Sequence, residues 1–326
     1  MARKVILDVD PGIDDALALC WALFNPGLDV VAVTAVGGNC SPAIATRNVQ
    51  AIIEALDPPR WPRLGAASEP EPDVAGPPPE GRGLYGPDGL GGVVLPVAER
   101  QHVLASEKVI CDQIRAAPDA ITFVALGPLT NLARAFQRDP ELPSLVGRVV
   151  MAGGTVHGSG NIPPAAEFNI YCDPPAARAV FLSASTKTLI PLDVTNRVTL
   201  NLDLYHQLPA ETTRVGGFLH RILPGAFRGY RQRFGLEGIH VHDTVALMAV
   251  AYPELFTTQG MAGDVEVMGE LTTGMTVFDR RRIPAWRHNM EVATDIQKEQ
   301  VIERIVRGLN QASEIAEGGG ELGIRD

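Results

Sequence analysis

Val5-Ile6-Leu7-Asp8-Val9-Asp10-Pro11-Gly12-Ile13-Asp14-Asp15-Ala16 is the stretch around which the chain is organised. An apolar run meets four carboxylates within eight residues, crosses a Pro-Gly break and enters a second apolar segment, Ala16 to Phe24. The physical reading is a buried strand, a tight turn and a helix that starts near Asp14. Asp8 and Asp10 alternate on one side of the strand end. Asp14 and Asp15 sit in the first helical turn, where the macrodipole favours negative charge. Clustered carboxylates repel one another and are costly to desolvate. The usual compensation is a hard cation with oxygen ligands, Ca²⁺ or Mg²⁺. One Asp pair there would be a solvated helix cap; four around a Pro-Gly at the end of a buried strand favour a site.

Outward from this stretch, strand and helix signals alternate over the first two thirds of the chain. Val30–Val36 is a β-branched run of the kind a central parallel strand needs. Ala43–Leu56 is helical, and a Pro/Gly-rich stretch runs from Pro58 to Gly92, with Pro77-Pro78-Pro79 and Gly81-Arg82-Gly83 inside it. A loop of that length is functional or disordered. Ser106–Ala116 is a helix, Ala120–Leu126 a strand, Leu129–Gln137 a helix, Arg148–Met151 a strand, Asp173–Ser183 a helix and Thr188–Pro191 a short strand. This rhythm implies an α/β fold with an open, doubly wound, mostly parallel sheet flanked by helices. The last third differs. A helix is expected from Glu211 to near Pro224-Gly225, a buried helix over Val241–Ala251, and short strands at Val265–Met268 and Met290–Ala293. Gln297–Glu317 reads as a final amphipathic helix with a Gly-rich tail that frays. With no repeat and no clear linker, residues 1–326 are expected to form one domain with helical and loop insertions.

The 326 residues suffice for a large core, and 45% apolar with 20% charged residues is ordinary for a globular enzyme. A net charge of −10 argues against nucleic acid as a partner, since a phosphate-backbone binder needs a basic surface. Cys20, Cys40, Cys111 and Cys172 show no C-x-x-C spacing, so reduced thiols are the default. No apolar run of membrane-spanning length and no signal peptide is present, so the expectation is a cytoplasmic protein with no membrane partner.

In an open parallel sheet, ligands bind beyond the carboxyl ends of the strands. The segment after each expected strand is therefore informative. Asp10, Asp14 and Asp15 come after the first, Gly37-Gly38-Asn39 after the second, and Gly127-Pro128-Leu129-Thr130-Asn131 after the Ala120 strand. Gly153-Gly154 and a loop with Asn161, Glu167, Phe168 and Asn169 come after the Arg148 strand; Asp193 and Asn196 come after the next. Carboxylates and amides dominate, with few cations and no GxxxxGK[ST] or GxGxxG phosphate loop. Such groups suit a polyhydroxylated neutral ligand. A metal held by Asp10, Asp15 and a later carboxylate would polarise water, which points to hydrolysis at a sugar centre.

The motif Asp8-Val9-Asp10-Pro11-Gly12-Ile13-Asp14-Asp15-Ala16 resembles the N-terminal signature of the calcium-dependent nucleoside hydrolases, the inosine–uridine-preferring type. The resemblance continues at Gly37-Gly38-Asn39, Gly127-Pro128-Leu129-Thr130-Asn131-Leu132, Met151-Ala152-Gly153-Gly154, Asn161 with Glu167-Phe168-Asn169, and His242-Asp243. These blocks stand in family order over nearly the whole chain. The resemblance implies a Rossmann-like nucleoside hydrolase fold and hydrolysis of ribonucleosides to free base and ribose. It implies that Asp10, Asp15, Asp243 and the Leu126 carbonyl bind Ca²⁺, with Asp10 also the general base for the attacking water. Asp14 and Asn169 would hold the 2′ and 3′ hydroxyls, Asn161 and Glu167 the 5′ hydroxyl. Asn39, Met151 and Phe168 would lie against the ribose. His242 would lie near the base and assist its departure. A homo-oligomer, tetramer or dimer, is also implied, and Asp8 is read as a supporting carboxylate.

The chain departs from the family pattern at one point. Where many such proteins carry a His-Gly, it has Tyr85 in Tyr85-Gly86-Pro87-Asp88-Gly89. A Tyr can stack on a base or donate a hydrogen bond, but its pKa of about 10 suits it poorly to proton shuttling at neutral pH. Tyr230, Arg231 and Phe234, in an Arg-rich segment, are further candidates to contact the base. Two other readings compete. A phosphatase of the haloacid dehalogenase type also opens with a strand and D-x-D, but Pro11-Gly12 and the second Asp pair argue against it. The other is a nucleoside- or sugar-binding protein without turnover.

Overall fold

The computed structural model describes residues 2–69, 84–98 and 103–318. The Pro77–Pro79 and Gly81–Gly83 parts of the expected loop, and the tail beyond Gly318, lie outside the described residues. In chain order the elements are β1 Arg3–Val9, α1 Ile13–Leu23, β2 Leu28–Ala35, α2 Pro42–Leu56, β3 Arg63–Ala66, β4 Leu104–Ala105, α3 Ser106–Ala116, β5 Ile121–Ala125, α4 Thr130–Arg138, α5 Leu142–Leu145 and β6 Arg148–Ala152. Then come α6 Phe168–Cys172, α7 Pro174–Leu182, β7 Lys187–Ile190, α8 Leu192–Thr195, β8 Thr199–Leu200, α9 Leu202–Tyr205, α10 Arg214–Phe234, β9 Ile239–His240 and α11 His242–Ala251. The chain closes with β10 Phe256–Met261, β11 Gly263–Val265, β12 Thr276–Phe278, β13 Met290–Ile296 and α12 Lys298–Gly318.

Nine strands form the central sheet in the order β10-β13-β7-β6-β5-β1-β2-β3-β4. Every pairing in it is parallel except β10 with β13 at one edge. Strand β1 therefore lies deep in the sheet between β5 and β2 and must be apolar on both faces. Its side chains divide accordingly. Val5, Leu7 and Val9 join the apolar cluster built with α1, α2, α10, α11 and α12. Ile6 joins the cluster on the other face, with α3, α4 and α7. Both faces are covered, as the alternating pattern requires. The reversal between β1's two neighbours, β2 on one side and β5 on the other, makes its carboxyl end the topological switch point where such sheets bind ligands.

Four elements differ from the expectation. Helix α10 does not stop near Pro224-Gly225 but continues to Phe234, with Pro224 inside it. Burial of Phe218, Leu219, Ile222, Leu223, Ala226 and Tyr230 along one face outweighs the proline penalty. Strand β3 falls inside the stretch read as loop; its four residues carry a glycine and little periodicity, and pairing with β2 and β4 makes them a strand. The edge strand β10 has no apolar signal, since Thr257, Thr258 and Gln259 are exposed, and the strand expected at Val265–Met268 is instead Gly263–Val265.

Candidate active site

Asp10 leaves β1 into a slot lined by glycine. A Cβ at Gly38 would collide with Asp10 Oδ2, and one at Gly127 would lie 2.6 Å from Oδ1. Glycine after β2 and after β5 thus lets this carboxylate lie against bare backbone. Oδ2 accepts the Asn39 N–H at 2.7 Å, and the Asn39 amide donates back to the Asp10 carbonyl at 3.2 Å. Asp8 lies deeper, fully buried. Its Oδ1 accepts from Thr34 Oγ1 and from Asn131 Nδ2. Asn131 also donates to the Ala35 carbonyl at 2.8 Å, so the Gly-Pro-Leu-Thr-Asn block ties β1 and β2 together from beneath the site.

Asp14 and Asp15 face different partners from one helical turn. Asp15 Oδ2 accepts the Gly12 N–H at 2.9 Å, closing the start of α1. Its Oδ1 is buried with no hydrogen-bond partner among the described residues, as is Asp8 Oδ2. Asp14 reaches α11, accepting the Asp243 N–H at 3.0 Å and the Thr244 hydroxyl at 3.3 Å. The residue before α11 is Val241, which has no side-chain acceptor, so Asp14 serves as that helix's cap.

Glu167 caps α6 and also takes the N–H groups of Gly154, at 3.1 Å, and Ile170, at 3.2 Å, on Oε2. Asn161 Oδ1 receives the Phe168 N–H at 2.9 Å. Asn169 spends its amide on the carbonyls of Leu126, at 2.7 Å, and Ala152, at 3.1 Å. Asn169 and Leu126 both line the cavity, so this bond sets the side-chain oxygen of one beside the carbonyl of the other at its edge.

The cavity measures about 300 Å³, at the low end of small-ligand pockets. Of the sequence candidates, Asp10, Asp14, Asn39, Tyr85, Leu126, Asn161, Glu167, Phe168, Asn169, Tyr230, Phe234, His242 and Asp243 line it. Asp15 is fully buried and is not part of the wall. Met151 is also absent from the wall: it is fully buried in the core cluster of the α3, α4 and α7 face. Arg231 is exposed and approaches Glu237 at 3.7 Å. Several wall residues were not singled out from the sequence as base contacts: Leu84, Ile162, Asn196, Arg233, Leu236 and His240. His240 carried a readable signal, because His240-Val241-His242 alternates apolar and polar with period two across β9 into α11.

The cavity lining combines carboxylates with aromatic rings. Tyr230 lies 5.5 Å from Phe234 and 5.9 Å from His240, ring centre to ring centre, and His240 stacks on His242 at 5.4 Å. Burial holds the His242 imidazole far below its ordinary value, with His240 adding to the effect, so the ring is neutral at neutral pH. Tyr85 is buried against the Gly12 turn, and its phenol is pushed well up by burial, then by Tyr230.

Burial pushes the Asp14 and Glu167 carboxyls up to about 7 and Asp15 to about 6. Asp10 and Asp243 are held well above the carboxylate range by burial and then by neighbouring Asp charges. Among the described residues, no three Asp, Glu, His or Cys side chains form a ready-made metal cage. The donor set nevertheless suits a hard cation. It consists of carboxylate and carbonyl oxygens, and the buried Asp15 Oδ1 has no hydrogen-bond partner among the described residues.

A sequence model described as inosine-uridine preferring nucleoside hydrolase matches residues 5–303. The non-specific ribonucleoside hydrolase RihC of Escherichia coli O6:H1 is 36% identical over 297 residues, 91% of this chain and 94% of that protein. RihC of Salmonella enteritidis is 39% identical over 279 residues, 84% of this chain and 87% of that protein. Among solved structures, a purine-preferring ribonucleoside hydrolase from Gardnerella vaginalis superposes with a TM-score of 0.88 at 28% identity, covering 97% of this chain and 99% of that one. The plant nucleoside hydrolase PpNRh1 gives a TM-score of 0.84 at 30% identity, covering 95% of this chain and 99% of that one.

Proposed function

The chain belongs to the inosine-uridine preferring nucleoside hydrolase family, and we propose that its cavity cleaves the N-glycosidic bond of ribonucleosides with the help of one Ca²⁺ ion. The observation that carries this reading is the convergence of Asp10, Asp14, Asp243 and Glu167 on one cavity, all buried, together with the aromatic side chains that share its lining. Asp10, Asp15, Asp243 and the Leu126 carbonyl would hold the ion. When bound, Ca²⁺ would supply Lewis acidity beside the sugar, easing deprotonation of water.

The residues then divide the work. Asp14 and Asn169 accept through their side-chain oxygens from the 2′ and 3′ hydroxyls, and Asn161 and Glu167 hold the 5′ hydroxyl. Asn39 and Phe168 flank the ribose; Met151 supports β6 from the core. As the C1′–N bond breaks, its electron pair leaves with the base and positive charge builds on the sugar, where the carboxylates stabilise it. Water attacks C1′ and gives one proton to Asp10. His242 donates a hydrogen bond to the departing base, against the wall that Tyr85 and Tyr230 help to form. Solvent completes protonation of the base.

Residues 1–326 acting as one domain, in the cytoplasm and as a homo-oligomer, complete the proposal. Among the described residues no helix is long and apolar enough to cross a membrane. The oligomeric part is supported by exposed Met268, Leu271 and Ile283, each more than four-fifths accessible, beside half-exposed Trp286. The deciding experiment incubates the protein with inosine, uridine, cytidine and adenosine, with and without chelator, and measures ribose release. Release that stops on chelation and returns with Ca²⁺ is expected. No release from any nucleoside by the folded, Ca²⁺-supplied protein would overturn the reading.

A further inference from the structure

We propose that Thr195 is a positioning residue for departure of the base: its hydroxyl donates to His242 Nδ1 and thereby keeps the ring proton on Nε2. This deepens the proposed function and rests on His242 as the donor to the base. Thr195 ends α8, directly after β7, and is buried with 2% exposure. Its Oγ1 lies 2.8 Å from His242 Nδ1.

The direction of that bond is set by the needs of each atom. A hydroxyl carries one hydrogen and two lone pairs. A buried hydrogen with no acceptor is costly, whereas a spare lone pair is not. Thr195 Oγ1 makes one hydrogen bond among the described residues, to Nδ1. It must therefore give its hydrogen there, and Nδ1 must be the bare nitrogen. A neutral imidazole then carries its single proton on Nε2, which has no protein partner among the described residues and belongs to a ring lining the cavity.

The surroundings keep the pair rigid. Helix α8 is anchored by Asp193, whose carboxylate collects Thr155 Oγ1 at 3.0 Å, Val156 N–H at 2.8 Å and His157 N–H at 2.8 Å. The ring of His240 stacks on His242 with planes 25° apart, which opposes a flip that would exchange the two nitrogens. The opposite tautomer would present a lone pair to the departing base at the moment it gains electrons. Thr195 therefore selects the form of His242 that helps the reaction, without touching substrate.

The test compares wild type, Thr195→Val and Thr195→Ser on inosine and uridine and on a nitrophenyl riboside, whose leaving group needs no proton. It is paired with ¹⁵N–¹H spectra of the histidine rings, His242 being identified by its loss in His242→Gln. For Thr195→Val, kcat on both nucleosides should fall by about 10- to 100-fold, the scale of a lost donor to a leaving group, with KM and nitrophenyl riboside turnover little changed. Its His242 signal should shift from the Nε2–H tautomer to a mixture, and Thr195→Ser should restore rate and spectrum. Wild-type nucleoside rates in Thr195→Val, or a proton on Nδ1 in wild type, would overturn the proposal. If Thr195→Val does not fold, the wild-type and Thr195→Ser spectra decide. Unaltered nucleoside turnover in His242→Gln would instead remove the reading of His242 beneath it, and the spectra distinguish the two failures.

Discussion

The backbone N–H of Asp243 donates to the side chain of Asp14 across 229 residues of sequence, at 3.0 Å. One carboxylate on α1 thereby caps α11 and fixes the residue proposed to share the metal. Asp14 has one observed duty, capping, and one proposed duty, holding ribose. An Asn side chain keeps an acceptor for the N–H but loses the charge; Ala loses both. Asp14→Asn should therefore retain Ca²⁺ affinity in titration calorimetry while kcat/KM falls by about 100-fold or more, the loss of charged hydrogen bonds to substrate. Asp14→Ala should lose both affinity and activity. Equal Ca²⁺ affinities in the two variants would remove the capping duty.

Metal removal should be visible in stability as well as in rate. An ion that binds the folded chain and not the unfolded one raises Tm in proportion to the logarithm of its concentration. Chelator should lower Tm, and Ca²⁺ titrated back should raise it progressively. A Tm indifferent to chelator in a protein shown to be metal-free afterwards would argue against a folded-state cation site.

Glycine in the middle of α10 makes a specific prediction. A Cβ at Gly229 would collide with the Leu84 carbonyl oxygen, and one at Gly225 would lie 3.0 Å from the Cα of Gly91. The loop carrying Tyr85 is seated in this notch and strapped there by Arg221 to the Val94 carbonyl and Arg228 to the Gly91 carbonyl. Gly229→Ala improves helix propensity yet must displace Leu84, and with it Tyr85. KM for nucleosides should rise by about 10-fold. An unchanged KM would mean that the loop's seat does not set the pocket.

Lys187 is buried at 2% exposure, with Nζ donating to the carbonyls of Ser183 and Ser185. Burial pushes its ammonium down to about 8 from 10.5. Between those values the unfolded chain holds more protons than the folded one, so raising pH through this window stabilises the fold. The penalty is full below about 8. Wild-type Tm should gain on that of Lys187→Met as pH rises from 8 to 10.5. A Tm difference flat across that range would show that the ammonium carries no burial cost.

The apolar surface near β11 and β12 is tested by size. Leu271 and Ile283 are 82% and 85% exposed, so substituting both with Asp costs the fold little. Sedimentation should show a smaller species than wild type. An unchanged mass would place any subunit contact elsewhere.

The residues proposed to carry the chemistry were legible because each stands at a strand end and its type is dictated locally: Asp10 and Asp14 after β1, Asn39 after β2, Glu167 and Asn169 after β6. The glycines beside Asp10 were visible too, although not the reason for them, which is the approach of a carboxylate from another strand. What the pattern hides is set by partners distant in sequence. The cap on α11 comes from α1; the continuation of α10 past Pro224 depends on buried packing; β3 exists through β2 and β4. Met151 reads as a ribose neighbour by its place in a motif, yet the side-chain alternation of β6 turns it into the core. Thr195 has no motif at all, and only its distance to His242 gives it meaning.

The central place of β1 also bears on how the chain comes off the ribosome. β1 can pair early with β2, its near neighbour in sequence, but its second partner β5 and the α11 backbone N–H that Asp14 accepts are synthesised later. Until then a strand and turn bearing four acidic groups cannot be buried without a large electrostatic cost, so they remain in water. The acidic groups then act as a solubilising guard on an apolar strand while the chain is incomplete.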